Sequence, residues 1–334
     1  MPAKRPTALV PEPDPERLSA AQALAARAAE PARWRNVRVA TAGWADRSLI
    51  ASGAFYPATA RTPEARLRHY ASQFTLVEVD ATYYTLLTAE LVARWVSWTP
   101  EHFHFDVKAH PVLTGHPIDA ARLPADLKAA WQSAGLEARA YPKDLPAEIL
   151  RELEARFWAS LEPLTTAGRL GAVLAQLPPW FAATRGNARE LETLAERCAG
   201  RPVSIEFRHK SWTFPERVPR VLDHLQKLGF SYVCVDEPPS KVGGVAPIVA
   251  VTAPRLAIVR FHGQNLAGWE KRGASVMERF NYLYTPRELG AWVERVKQLS
   301  KEADSVHAVF NNCVRNYAVL NAKDLAVLLD ESSD

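Results

Sequence analysis

The residues best suited to chemistry in this chain stand at the ends of short apolar runs. Glu78 and Asp80 close one run, Asp106 and Lys108 another, and Gln176 a third. Glu206 with Arg208, Asp236, Arg260 with His262, and Asn311 with Asn312 close four more. Carboxylates serve as general acids, general bases or hard metal ligands, imidazole adds a proton carrier or ligand, and Arg and Lys grip anions. His262, Glu206, Asp236 and Asp80 are therefore the candidate catalytic set. Lys108, Arg208 and Arg260 are candidate clamps for a phosphate or carboxylate. Gln176, Asn311, Asn312, Trp44 and Tyr83 complete the candidate substrate-binding set.

Such groups converge only if their elements bring them to one place. The runs 37–43, 76–82, 103–109, 170–177, 203–208, 230–236, 256–262 and 306–311 read as strands. Between them lie segments of helical period such as 63–73, 189–198, 217–228, 286–299 and 318–329, with an insertion over 111–168 that carries an amphipathic stretch (Ile149, Leu153, Phe157, Leu161). Eight strand–helix units fit a TIM-type (β/α)8 barrel with insertions, and a doubly wound open sheet is the alternative. Side chains alternate faces along a strand, and the outer face of a barrel must be apolar to meet its helices. Val77 and Val79 outward turn Glu78, Asp80 and Thr82 inward. Phe105 and Val107 outward turn His104, Asp106 and Lys108 inward. By the same reading Glu206 and Arg208, Arg260 and His262, and Tyr232, Cys234 and Asp236 face the lumen. The members nearest the C-terminal strand ends are the functional candidates, because barrel active sites form there. Deeper members such as Glu78 and Asp106 are equally read as a paired, structural ion network.

Composition sets the class. The chain has 334 residues, 48% hydrophobic and 23% charged, the balance of a water-soluble globular protein. No apolar run reaches the length of a membrane helix, and no leader-like start suggests export, so a cytoplasmic location without membrane partners is expected. Three widely spaced cysteines form no metal knuckle or redox pair. A net charge of +4 permits an anionic ligand without demanding nucleic acid. Residues 1–35 stand apart as an extension: prolines at 2, 6, 11, 13 and 15 predict an extended or disordered start, and Glu16 to Glu30 predicts an Ala-rich helix. The single domain then spans 36–330.

Several phrases together resemble one family. They are Thr41-Ala42-Gly43-Trp44, Phe55-Tyr56-Pro57, Val77-Glu78-Val79-Asp80-Ala81-Thr82-Tyr83-Tyr84 and Phe103-His104-Phe105-Asp106-Val107-Lys108. Gln176-Leu177-Pro178-Pro179, Glu206-Phe207-Arg208-His209, Arg260-Phe261-His262-Gly263 and Phe310-Asn311-Asn312 follow in order. This set resembles the YecE-like family, domain of unknown function 72, over about 37–325. The resemblance implies a TIM-type barrel and brings no assigned reaction. Asp80 stands where the family usually has Asn, which adds a carboxylate and tilts the site toward a metal. Thr85 stands where an Arg usually follows the aromatic pair, which removes a cation.

Three chemistries compete. A divalent-metal hydrolase would use Asp80, Glu206, Asp236 and His262 as ligands, although no HxH or HExxH spacing supports it. A glycosidase would need two carboxylates roughly 5–10 Å apart, which Glu206, Asp80 and Asp236 could supply. The crowd of cations instead suits a phosphorylated or otherwise anionic substrate, including nucleic acid, and a hydrolase-like reaction on it is the leading expectation. The segment 264–284, basic and aromatic (Trp269, Lys271, Arg272, Arg279, Tyr282), reads as a lid over the mouth or a nucleic-acid contact. A non-catalytic binding protein is the rival class. Oligomeric state is not assigned by any of these features.

Overall fold

A computed structural model describes residues 13–240 and 244–332. Its main strands are β1 (Val37–Thr41), β2 (Leu76–Val79), β3 (His104–Lys108), β4 (Leu170–Gln176), β5 (Val203–Glu206), β6 (Ser231–Asp236), β7 (Ala257–Phe261) and β8 (Val306–Phe310). They form a curled, mostly parallel sheet in the order β1–β8–β7–β6–β5–β4–β3–β2, with the short strand Arg33–Trp34 antiparallel on β1. The two ends of the sheet approach each other. Ala42 and Glu78 make an isolated parallel bridge, and the Gly43 N–H donates to the Glu78 carbonyl at 2.8 Å.

Around the sheet lie α1 (Pro15–Ala25), α2 (Pro63–Gln73), α3 (Ala89–Trp98), α4 (Ala147–Thr166), α5 (Arg185–Cys198), α6 (Val218–Lys227), α7 (Pro286–Glu302) and α8 (Tyr317–Glu331). Their starts are set by local chemistry. Thr62 caps α2 with Pro63 in its first turn, and Thr285 and Glu288 form a reciprocal capping box on α7. The apolar stripes then bury against the sheet, as with Leu289, Trp292, Val296 and Leu299 of α7. The strand–helix alternation fails once. Between β6 and β7 the described residues of 237–256 contain no helix, where Pro238, Pro239, Pro247 and Pro254 deny helical hydrogen bonds.

The insertion after β3 carries a small hairpin, Ile118–Asp119 with Arg139–Ala140, and a helix, Ala125–Ser133, ahead of α4. The N-terminal helix forms where expected but stops at Ala25. Its Ala21 and Ala25 pack on Leu283, Val314, Tyr317 and Leu320. The extended start expected over residues 1–12 lies outside the described residues.

Register assigns the faces. Glu78 pairs with Asp106, Gln176 with Glu206, and Arg260 with Val235 and Val309. These positions share the inner face, while Val79, Val107 and Val173 share the outer one. One expectation is corrected here. Asp236 pairs with Phe261, and Phe261 with Phe310, so Asp236 points into the helix layer with the aromatic face. The inner face of β6 carries Val233 and Val235 and continues to Glu237.

Candidate functional site

A charged network fills the inner face near the C-terminal strand ends. Arg260, on β7, is fully buried and lies between two carboxylates. Its Nε donates to Glu78 Oε2 at 2.8 Å and its Nη2 to Glu78 Oε1 at 2.5 Å, while Nη1 donates to Glu206 Oε2. The other oxygen of Glu206 accepts from Gln176 Nε2 at 2.6 Å, His262 Nε2 at 3.2 Å and Arg208 Nη1 at 3.3 Å. Asn311 Nδ2 meets His262 Nδ1 at 3.0 Å. The neutral imidazole with its proton on Nε2 satisfies both contacts: it donates to Glu206 and accepts from Asn311.

Burial sets the protonation of this floor. Burial pushes the His262 imidazole down to about 3 even though Glu206 pulls the other way, which keeps it neutral. Burial alone would raise the Glu206 carboxyl, but Arg260, His262 and Arg208 outweigh it and hold the group well below the usual carboxylate range. Glu78 goes the other way: burial raises it to about 7 against the pull of Arg260.

The register error at β6 hid a member of the site. Glu237 is buried, accepts from Arg208 Nη1 at 2.6 Å through Oε2 and from the Val245 N–H at 2.8 Å through Oε1, and burial raises it to about 7. It stands one residue past the run read as a strand, just before Pro238-Pro239. That position is one where parity, counted from Arg260, would have found it. Asp236 instead accepts from the Tyr284 hydroxyl at 2.5 Å, behind the sheet. Asn312 is also behind the sheet, donating to the Tyr282 carbonyl at 2.8 Å and to Asn321 Oδ1 at 2.9 Å. Neither residue joins the network.

The remaining candidates form a partly exposed rim. Lys108 Nζ lies 3.8 Å from Asp80 Oδ1 and 4.9 Å from the centre of the Tyr83 ring. The Asp80 side chain is 34% exposed, which separates it from Glu206 at 0%. Trp44 is half-buried, set edge-on to Trp95, and its carbonyl accepts from the Tyr56 hydroxyl. The segment 264–284 folds down on the floor: Trp269 and Phe280 lie 6.3 and 5.8 Å from the His262 ring, and Arg208 stacks 4.7 Å above Trp269. His262 and Arg260 are accordingly sealed from solvent.

Metal and sugar chemistry find less here than the sequence suggested. Among the described residues no three His, Cys, Asp or Glu side chains cluster so as to hold a metal ion. Of the three carboxylates considered for a glycosidase pair, Glu206 accepts from four donors and Asp236 lies behind the sheet against Tyr284. No helix among the described residues is long and apolar enough to cross a membrane.

The molecule is thus an α/β protein whose curled parallel sheet carries a buried ionic floor and a cationic rim at its C-terminal edge. It matches the family described as a protein of unknown function, DUF72, over residues 38–334, and the chain belongs to that family. It is 31% identical over 297 residues to the UPF0759 protein YunF of Bacillus subtilis, covering 88% of this chain and 95% of that protein. Solved structures of DUF72 family proteins are similar throughout. One from Enterococcus faecalis V583 aligns with a TM-score of 0.71 and 29% identity over 89% of this chain and 97% of that one. Another, from Thermotoga maritima MSB8, aligns with a TM-score of 0.68 and 30% identity over 89% of this chain and 100% of that one.

Proposed function

We propose that this chain is a single-domain (β/α)8-barrel enzyme over about 36–330, acting hydrolytically on a phosphorylated or similarly anionic substrate at its C-terminal mouth. The observation that carries the reading is the division of the charges into a sealed floor and an open rim. Lys108 and Arg208 are the cations that reach the rim, with side chains 15% and 16% exposed. A planar guanidinium and an ammonium suit a phosphate or carboxylate. Below them the Glu78–Arg260–Glu206–His262 network is preorganised and fixes the field without being consumed. Asp80 is the carboxylate with an open face beside Lys108, and it takes the role of general base toward water. Its Oδ1 is buried 3.8 Å from Lys108 Nζ and has no hydrogen-bond partner among the described residues, so it has a lone pair free for a proton. Glu237, titrating near neutrality against Arg208, takes the role of proton acceptor when a ligand anion engages that Arg. Trp269 and the lid would have to lift for substrate to enter.

The test is a thermal-shift and calorimetric titration with inorganic phosphate, followed by a panel of phosphomonoesters and phosphodiesters. Lys108→Ala and Arg208→Ala should weaken phosphate binding at least tenfold. Asp80→Asn should abolish turnover while phosphate still binds. Phosphate binding without turnover of any ester would favour the non-catalytic binding protein, a reading that the four donors on Glu206 support. No phosphate response at all would remove the anionic-substrate reading.

A further inference from the structure

Outside the charged mouth, a concavity lies between the loop after β3, the loop after β4 and the face of α5 that carries Leu191 and Leu194. Its volume is about 690 Å³, within the range of small-molecule sites. Leu113, Leu177, Leu191 and Leu194 line its wall, and Trp180 and Tyr141 stand at its edge. Trp180 is 56% exposed, an unusual position for an indole in a chain whose other large rings are mostly buried. His116 and Tyr141 approach Trp180 edge-on, with ring centres 5.7 and 6.4 Å away at interplanar angles of 69° and 86°. Edge-on neighbours do not cover the indole by stacking on it.

The groove is also connected to the mouth. Lys108 sits 4.9 Å from the Tyr83 ring, Tyr83 sits 5.3 Å from His116, and His116 contacts Trp180. One row of rings therefore runs from the rim cation to the groove. Burial lowers His116 to about 4, with Lys108 adding to the effect, so its ring is neutral and presents an uncharged link. The groove wall also contains Arg197. It is held by Glu154 Oε1 at 2.5 Å and the Val112 carbonyl at 2.9 Å, while its buried Nε has no hydrogen-bond partner among the described residues.

We propose that the groove seats a planar aromatic group carried by the same anion that the mouth holds, so that the ligand is an aromatic-bearing phosphate or carboxylate. The inference rests on the anionic reading of the mouth and adds the other half of the ligand. The ring stacks on Trp180 above the leucine wall, and the anionic end reaches Lys108 along the Tyr83–His116 row. A nucleotide and an aryl group tethered to phosphate by a chain of several atoms share this chemistry.

Calorimetric titrations with adenosine 5′-triphosphate and 4-(1-naphthyl)butyl phosphate, each against its ring-free counterpart (inorganic triphosphate or butyl phosphate), test it. At least one ring-bearing anion should bind about tenfold or more tightly than its counterpart, the scale of one aromatic stacking contact. Which of the two gains more tells a nucleotide from a tethered aryl phosphate. Trp180→Ala, which truncates an exposed side chain, should cut that advantage severalfold. Glu190→Trp, which fills the groove from the exposed side of α5, should abolish it. Neither should change binding of the ring-free anions. Equal affinity with and without the ring, or an advantage that survives Glu190→Trp, overturns the proposal. If the ring-free anions fail to bind while the ring-bearing ones remain sensitive to Glu190→Trp, the groove stands as an aromatic site. The anionic mouth, and with it the shared ligand, then falls. If nothing binds, both fall.

Discussion

Replacing Glu206 with Gln removes one charge and no volume, and it tests whether the floor is a keystone. Glu206 is fully buried and accepts from Arg260 on one oxygen and from Gln176, His262 and Arg208 on the other. An amide has one acceptor oxygen and one donor nitrogen. With its oxygen toward Gln176 and His262, its NH2 faces the Arg260 guanidinium, donor against donor. Turned over, the NH2 faces three donors at once. Either way Arg260 keeps only Glu78 as a counter-charge, in a place that water does not reach. Removing one partner of a buried ion pair costs about 3–5 kcal/mol. For a chain of this size that is a fall in Tm of about 4–7 °C. Urea unfolding followed by tryptophan fluorescence, run beside Lys108→Ala, measures it. The Lys108–Asp80 contact is partly exposed and long, so Lys108→Ala should cost about 1 kcal/mol or less. An unfolding free energy for Glu206→Gln within about 1 kcal/mol of the parent would refute the reasoning: the carboxylate would then be free for chemistry.

Other perturbations separate the remaining parts. Burial raises the folded-state Glu237 to about 7, above its ordinary 4.5, so between these values the folded state binds more protons and this group's contribution to stability falls as pH rises. The Glu237→Gln variant lacks this loss and should gain about 3 kcal/mol on the parent between pH 4 and pH 8 in urea unfolding; a pH-independent difference would reject the raised pKa. A Cβ at Gly171 would lie 2.4 Å from Asp106 Oδ1 and 2.9 Å from His307 Cε1, so Gly171→Ala should destabilise by about 1–3 kcal/mol. Asp106 Oδ2 and His307 Nδ1 are paired at 2.8 Å, and an unchanged Tm would show that this pair yields freely. Ala21, wholly buried on the docked face of α1, borders Leu283 at the end of the lid, and Arg17 of the same helix pairs with Glu288 at 2.7 Å and covers the Tyr282 ring at 4.6 Å. Ala21→Asp should release the helix and speed tryptic cleavage within 264–284, read by mass spectrometry. An unaltered cleavage rate there would detach the extension from the lid.

The strands were legible because seven of the eight apolar runs carry a polar residue at or next to their end. Where one face of a strand is polar, as in Val77-Glu78-Val79-Asp80, alternation assigns the faces without a structure. In β6 the run Tyr232-Val233-Cys234-Val235 is apolar on both sides, and the period-2 signal vanishes. The only charge inside that strand, Asp236, then decided the reading and pointed it one residue wrong. Its own burial is satisfied by Tyr284, a residue 48 positions away that no local pattern reveals. Asn312 failed in the same manner, its amide claimed by Asn321 on α8. The aromatic groove was illegible for a different reason. Its parts come from the insertion, the loop after β4 and α5, and only the tertiary fold brings Tyr141, Trp180 and Leu191 together.

The distribution of saturation decides what each charged residue can be. A carboxylate with four donors cannot accept a substrate proton without giving up a charge-assisted bond, each worth about 1.5–3 kcal/mol. Glu206 and Arg260 are therefore suited to fixing a field and poorly suited to moving protons. The groups with spare capacity stand higher and further out: Lys108 with its single long ion pair and Asp80 with an unpartnered oxygen. A structural network alone would account for the floor. It gives no reason for a lysine and an aspartate, partly exposed, to stand 3.8 Å apart at the strand ends beside a row of rings leading to an apolar groove. That outer layer is where substitution should change binding while leaving the fold intact, and a floor that fails under Glu206→Gln together with a rim that does not fail under Lys108→Ala would locate the chemistry in the rim.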